Sequence, residues 1–487
     1  MNIIILGAGK VGSYLTSDLA EEGHDILVID HDKDVLDRLL AANDVMGIVG
    51  DGRDPEVLID ANVGSCDLFI AITLSDDVNL IASTMAKKLG AKNIIIRLRD
   101  PQYMKQKEII EEITSATRIV NPESIAAKDI QRALKYSHAL NVEGFFRDQA
   151  IMMEIVISED STLAGSRISD LNAYSANYHT LIGIVNNNGK IYIPHGSYVL
   201  EKGEKIYVIG EKEGVDRFYK QEVLDRYEIK NVLIIGAGSI SDHLTGLLLE
   251  RGFGVTLVEI DKEKAEAFSE KYSDAIVINA DGSDPDVLEE VRVANFDAMV
   301  CLTGMDEENI LISLLGKKYG IEKIISKVNR IKLIKMTGIL DIDTTFTPKR
   351  AASDVINRII RSKENARGSS ITSLYRLEDD EVEVIEFAAI EHSEIFGRKL
   401  KDLNIREDTL IACIKHEERD GAIEVPNGDS MISLGDRVLV ITTNHSFQTI
   451  DDIVSRYERI NCKTYYRKTY AGFGYANAFS ITCRSNI

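Results

Sequence analysis

The chain repeats itself, and that constrains its fold more than any other feature. Ile3-Ile4-Ile5-Leu6-Gly7-Ala8-Gly9-Lys10-Val11-Gly12 returns 229 residues later as Val232-Leu233-Ile234-Ile235-Gly236-Ala237-Gly238-Ser239-Ile240-Ser241. Farther on the offset is 230: Asp51-Gly52-Arg53-Asp54-Pro55 returns as Asp281-Gly282-Ser283-Asp284-Pro285, and Thr73, Asp76 and Asn79 return as Thr303, Asp306 and Asn309. Landmarks in one order at nearly one offset point to a duplication, so whatever one copy folds into must be built twice. The stretches after these blocks also correspond. Gly165-Ser166-Arg167 matches Gly397-Arg398-Lys399, Pro194-His195-Gly196 matches Pro426-Asn427-Gly428, and Lys202–Ile209 matches Leu434–Ile441. The order is A-B-A-B, four modules in two halves, where the length of 487 residues alone suggests about three domains.

Module A alternates short apolar runs with helical periodicity. The runs fall at residues 2–6, 26–29, 45–49, 68–72 and 94–96. Alternating strands and helices imply a parallel sheet covered on both faces. Asp54-Pro55 and Asp284-Pro285 are helix starts, because Asp caps free amides and Pro suits the first turn. Module B shows β-branched alternation at 153–157, 181–185, 190–193 and 205–209, with Asn186-Asn187-Asn188-Gly189 as a hairpin turn. It reads as a small α+β unit. The expected fold is therefore α/β, with two Rossmann-like parallel-sheet domains alternating with two small α+β domains. The expected boundaries are 1–121 and 229–347 for the A domains, 140–225 and 369–455 for the B domains, and 122–139 and 348–368 for long helices between them. Two readings of those helices stand: each bridges its own two modules, or each packs on a partner chain. Residues 461–487 lie outside the repeat and read as an appended or disordered tail.

The glycine-rich turn carries the chemistry. Gly7-x-Gly9-x-x-Gly12 sits between strand and helix, where the first glycine allows a tight turn, the second lets a pyrophosphate approach and the third lets helix and strand pack. Helix N-terminal amides then face the anion. Ala8, Lys10 and Val11 complete this turn. Asp30 follows at the end of the second strand, where an acid accepts hydrogen bonds from a ribose diol and repels a 2′-phosphate. NAD(H) or an adenine nucleotide with an unphosphorylated ribose is expected over NADP. The second turn, Gly236-Ala237-Gly238-Ser239-Ile240, keeps an acid at Glu259 but has Ser241 in place of the third glycine, which is expected to open the helix–strand contact slightly. Asp51 and Asp281 mark the adenine side or a plain Asp-Gly turn. Thr73 and Thr303 end the fourth strands, as ligand contacts or as strand caps. Arg97 and Lys327 end the fifth strands and are the expected phosphate partners.

Several classes are disfavoured. There are 57 basic and 78 acidic residues, a net charge of −21, which is not the basic surface that nucleic-acid binding needs. The tail holds four of the basic residues and no acidic ones, so residues 1–460 carry 53 against 78, or −25. Simple adhesion to anionic lipid is disfavoured for the same reason. No run of 18 apolar residues suggests a membrane span, and the N-terminus lacks signal-peptide character. Five scattered cysteines argue for a reducing cytosol. Cys66 reads as a small core hydrophobe. No metal-spaced histidines and no nucleophile elbow are present, so no catalytic residue and no metal ligand is assigned. The alternatives that remain are an NAD-dependent oxidoreductase, which the doubled pattern disfavours, and a soluble nucleotide sensor with another partner.

The order Gly7 to Gly12, Asp30, Gly50-Asp51-Gly52, Thr73, Arg97-Leu98-Arg99-Asp100-Pro101 and Val120-Asn121-Pro122, doubled along residues 1 to about 455, resembles the tandem RCK/KTN family of peripheral TrkA-type subunits of Trk potassium uptake systems. The resemblance implies a non-enzymatic regulator whose A modules bind NAD(H) or ATP/ADP. It also implies a homotetrameric ring, docked on an integral membrane potassium channel subunit of TrkH or TrkG type, at the cytoplasmic face of the cell membrane and without inserting into it. The tail matches nothing in the family.

Overall fold

The computed structural model describes residues 1–455 except 147, 159–160, 176–178, 224–227, 331–332, 334–343, 366–369, 379–380, 391–392, 394 and 448. The tail at 461–487 lies outside the described residues. The first half opens with β1 (Asn2–Leu6), α1 (Lys10–Glu21), β2 (Asp25–Asp30), α2 (Lys33–Ala42), β3 (Met46–Val49), α3 (Pro55–Asp60), β4 (Leu68–Ala71), α4 (Asp76–Leu89), β5 (Ile94–Arg97), α5 (Pro101–Lys105), α6 (Lys107–Thr114), β6 (Arg118–Val120) and α7 (Pro122–Lys135). The strands form one parallel sheet in the order β3-β2-β1-β4-β5-β6. β1 lies at its centre because Ile3, Ile4, Ile5 and Leu6 are apolar on both faces, and all four are buried.

Helix starts follow local chemistry. Asp32, Asp54, Ser75 and Asn121 each accept a backbone amide in the first turn of α2, α3, α4 and α7. α4 also carries Asp76 and Asp77 in its first turn and Lys87 and Lys88 in its last, matching the helix dipole, and it stops at Gly90 in the left-handed region.

The first B module contains β7 (Asn141–Phe145), β8 (Ala150–Val156), α8 (Ile168–Ser175), β9 (Thr180–Asn187), β10 (Lys190–Tyr192), β11 (Lys205–Glu211) and α9 (Lys212–Phe218), with sheet order β10-β9-β11-β8-β7. Lys190 pairs with Asn187, so the hairpin turns on Asn188 and Gly189, both at positive φ. The second half repeats the design. Its parallel sheet is built from β12 (Asn231–Ile235), β13 (Gly254–Glu259), β14 (Ile276–Asn279), β15 (Ala298–Cys301), β16 (Lys323–Lys327) and β17 (Thr344–Phe346), in the order β14-β13-β12-β15-β16-β17. Its helices are α10 (Ser239–Leu249), α11 (Lys262–Lys271), α12 (Pro285–Glu290), α13 (Asp306–Lys318) and α14 (Pro348–Asn365). The second B sheet runs β18 (Ile371–Leu377), β19 (Val382–Ala388), β22 (Arg437–Thr442), β20 (Thr409–Lys415) and β21 (Ile423–Glu424).

The helices between modules do something that neither sequence reading anticipated: each packs on the other half of its own chain. Ala126, Ala127, Ile130 and Leu134 of α7 share a core with Leu244 and Leu248 of α10. Ile356 and Ile360 of α14 share a core with Leu15 and Leu19 of α1. A polar tie seals the second crossing, where Ser353 and Asn357 donate to Asp18 at 3.1 and 2.5 Å. The two B sheets also join. Phe145, Met152, Ile184 and Ile209 of one pack against Val384, Cys413, Leu439 and Ile441 of the other. The halves are thereby interlocked, since each crossover helix completes a core begun more than a hundred residues away.

Cys66, Cys301 and Cys413 are buried. Burial pushes the first thiol up to about 11 and the other two to about 12, so none is a ready thiolate. Among the described residues no helix is long and apolar enough to cross a membrane.

Candidate functional site

In the first parallel sheet β1 and β4 are neighbours, and the chain leaves them toward β2 on one side and β5 on the other. That reversal leaves a crevice beyond their carboxyl ends, where ligands bind in this architecture. The glycine-rich turn fills one side. Gly7 has φ +110, and a Cβ on it would lie 3.0 Å from the Thr73 amide nitrogen. A Cβ on Gly12 would lie 1.9 Å from the Gly7 carbonyl oxygen, so the helix packs on the turn only because that carbon is missing. A Cβ on Gly9 would meet nothing within 4 Å. That open side is the space a pyrophosphate needs, and α1 begins there with no side chain capping its amides, unlike α2, α3, α4 and α7.

Asp30 is buried at the end of β2, where its Oδ2 accepts the Ala8 amide at 2.5 Å and its Oδ1 accepts the Asp32 amide at 2.9 Å. The acid therefore orders the turn as well as facing the crevice. Oδ2 retains a lone pair for a ribose hydroxyl, whereas Oδ1 also lies 3.1 Å from the exposed imidazole of His31. Ala8 is buried, Val11 is half-buried against the β-sheet core, and Lys10 is exposed at the first position of α1.

The second crevice repeats the arrangement. Gly236 has φ +100, a Cβ on Gly238 would again meet nothing within 4 Å, and α10 starts without a side-chain cap. Glu259 accepts the Ala237 amide at 2.6 Å and the Asp261 amide at 2.9 Å. Ser239 is exposed and Ile240 buried. Ser241 is fully buried, and its hydroxyl donates to the Gly236 carbonyl. The extra atoms that the third-glycine position excludes in the first half are thus turned into a hydrogen bond in the second.

The other side of each crevice is braced. Asn79 is fully buried; its Oδ1 accepts the Thr73 amide at 2.9 Å and the Thr73 hydroxyl at 2.7 Å, and its Nδ2 donates to the Arg97 carbonyl at 3.0 Å. Asn309 does the same for the Thr303 amide and the Lys327 carbonyl. Asp76 and Asp306 accept the amides of Arg99 and Asn329 at 2.8 and 2.9 Å. These four residues matter to the site's shape, and the only sequence signal for them was their recurrence in both halves.

The remaining candidates have internal partners. Asp51 is held by Arg53 at 2.6 Å, which pulls its carboxyl down to about 2. Asp281 accepts the Ser283 amide and hydroxyl at 2.9 and 2.7 Å. Arg97 is buried and paired with Glu123 of α7 at 2.8 Å. Lys327 donates to the Leu302 carbonyl at 3.2 Å. Burial lowers its ammonium, with Asp306 acting the other way and Lys10 adding to the fall. Lys10 of the first half thus lies near enough to Lys327 of the second to disfavour its charge. Lys349, at the Glu123 position of α14, lies 5.3 Å over the Tyr14 ring and lines the same interhalf space of about 480 Å³ as Lys10 and Asn329.

Comparison with known proteins places the arrangement. The TrkA-N domain model matches residues 3–122 and 232–348, and the TrkA-C domain model matches residues 152–222 and 384–455. A Trk system potassium uptake protein TrkA homolog of Archaeoglobus fulgidus is 30% identical over 454 residues, covering 93% of this chain and 100% of the relative. TrkA of Haemophilus influenzae is 27% identical over 445 residues, covering 90% and 95%. A structure of the GsuK channel bound to NAD superposes with a TM-score of 0.61 at 17% identity, covering 91% of this chain and 77% of that one. The GsuK RCK domain does so with a TM-score of 0.60 at 17% identity, covering 91% and 92%. The fold is thus shared with that channel's RCK domain. With both domain models matched twice and a relative aligned along nearly its whole length, the chain belongs to the TrkA family of Trk system potassium uptake proteins.

Proposed function

We propose that the chain is a nucleotide-binding regulatory subunit that gates a membrane potassium uptake channel or transporter, and that it is not an enzyme. The observation that carries this reading is the pair of uncapped helix N-termini, each opening on a glycine with empty space beside it and an ordered acid. The crossed helices tie the two together. The proposed contacts are Gly7 to Gly12, Asp30, Asp51, Thr73 and Arg97 in the first A domain. In the second they are Gly236 to Ile240, Glu259, Asp281, Thr303 and Lys327. The domain division at 1–121, 140–225, 229–347 and 369–455 sets the working units.

The ligand is NAD(H) or ATP/ADP. A bound nucleotide supplies negative charge at the turn. Helix amides and Lys10 meet that charge, Lys327 and Lys349 add positive potential from the other half, and Asp30 or Glu259 holds a ribose. Charge in the first crevice is thereby sensed by the second half, so two relative arrangements of the halves bind the ligand with different affinity. Such a difference is what shifts a population, and about 5.5 kcal/mol of it takes a 1:99 mixture to 99:1. The proposed assembly is a homotetrameric ring of such chains. The proposed partner is a TrkH or TrkG type channel subunit, reached at the cytoplasmic face of the membrane by protein contact.

Co-purification with membrane fractions, with and without ATP or NADH, tests the reading. Nucleotide-dependent recovery of a potassium channel subunit is expected, and recovery of only a soluble partner would replace gating by the soluble-sensor reading.

A further inference from the structure

The crossing helices enclose a space that the glycine-rich crevices do not use. A cavity of about 980 Å³ lies between α7, α14, the two B modules and one edge of both parallel sheets. Arg118 is the first residue of β6 and Lys323 the first residue of β16, and both line it. The cavity meets the amino-terminal ends of β6 and β16 and runs along the edge strand β17 to Phe346, and none of the glycine-rich turn residues, which follow the carboxyl ends of β1 and β12, lines it. It is a place separate from both crevices.

Its charge runs against that of the chain. Six Lys and Arg line the cavity against four Asp and Glu, although the chain as a whole has 57 basic and 78 acidic residues. Two of the cations are neutralised locally, Arg132 by Asp148 at 2.9 Å and Arg437 by Glu386. Arg118 and Lys128 are exposed and form no ion pair with a described residue. Cations gathered in a concave wall raise the local positive potential and concentrate anions there. A guanidinium fork suits phosphate oxygens, and an ammonium adds a point charge. The wall also offers apolar surface from Phe346, Val355 and Ile359. The volume lies at the upper end of small-molecule sites, which run to roughly 1,000 Å³.

We propose that this cavity binds a phosphorylated small molecule of nucleotide size. Its anionic groups meet Arg118 and Lys128, and its body rests on the apolar wall. Because the lining comes from the first half (Arg118, Lys128) and the second (Lys323, Arg350), occupancy favours one arrangement of the halves. The cavity is a control point additional to the glycine-rich turns, and it does not depend on what those turns bind.

Titration of the full chain with inorganic pyrophosphate at low ionic strength tests this. Hydrogen exchange of the same samples locates the binding. The expected result is saturable binding that weakens with added salt, with protection of residues 117–118 and 141–144. Affinity followed by the protection of residues 117–118 and 141–144 should fall about tenfold or more in R118A/K128A and stay within about twofold in K220A, a lysine outside the cavity lining. Both exposed side chains can be removed without opening the core, and the single variant K128Q serves if the double variant melts early. Equal affinity in the wild type and these variants, protection confined to the glycine-rich turns, or no binding by the wild type would each overturn the proposal.

Discussion

The carboxylate of Asp30 accepts the backbone amide of Ala8 at 2.5 Å. The acid that ends the second strand thus holds the turn that ends the first. In the Rossmann pattern this acid is read as a ribose ligand, but here it also sets the shape of the phosphate turn. The second half repeats the relationship with Glu259 and Ala237 at 2.6 Å.

Asp30→Ala should therefore weaken NADH and ADP binding about tenfold or more, through loss of both the ribose acceptor and the ordered turn. Glu259→Ala should do the same at the second crevice. Calorimetry checks this by stoichiometry. Two sites per chain should drop to one in either single variant, and unchanged affinity and stoichiometry would remove both acids from the site.

Gly12→Ala places a methyl carbon 1.9 Å from the Gly7 carbonyl oxygen, so the turn must move. Binding at the first crevice should be lost, with a lower melting temperature, because overpacking costs about 1–3 kcal/mol. Ser241→Ala in the second half keeps the Cβ already accommodated there and loses the hydroxyl's bond to Gly236, a cost of about 1 kcal/mol. Thermal unfolding of the two variants should rank them in that order.

Asp18→Ala leaves the Asn357 amide and the Ser353 hydroxyl without their shared acceptor, both in buried positions. A cost of about 1–3 kcal/mol is expected. Ile356→Ala should cost about 2–5 kcal/mol, since Ile356 is fully buried against α1. Denaturant unfolding gives the totals. A D18A/N357A cycle should be non-additive, whereas additive effects would mean that the tie across the halves contributes nothing.

Asp51 offers a pH test. The hydrogen bond from Arg53 holds its carboxyl at about 2 instead of 3.8. A depressed carboxyl pKa stabilises the fold fully above its ordinary value, and that contribution fades as pH falls through about 2. A carbon-detected titration should place the Asp51 midpoint near 2 in the wild type and return it toward 3.8 in Arg53→Ala. The pair is solvent-exposed, so overall stability should change little.

Sequence periodicity reached the elements closely. The apolar runs became strands, fully buried in β4 and β5 and largely exposed in the edge strand β3, Asp54-Pro55 and Asp284-Pro285 became capped helix starts, and Asn188-Gly189 became the hairpin turn. Each is decided within a few residues, by alternation, a cap or a positive φ. The glycine turns and the acids beside them were legible as structure for the same reason. The pairing of Arg97 with Glu123 was not, because Glu123 belongs to a helix 26 residues away whose direction no local pattern reveals.

The sequence by itself determined four modules in two copies, the strand–turn–helix of each crevice and the acid beside it. These depend on short-range sterics and hydrogen bonding. Only the tertiary structure decided that α7 completes the second half's core and α14 the first's, that Asp18 meets Asn357, and that six cations surround a cavity in an acidic chain. The physical reason lies in burial. An amphipathic helix states that it must cover an apolar face, and either half offers one. The choice rests on complementary packing between residues far apart in the chain, which periodicity cannot encode.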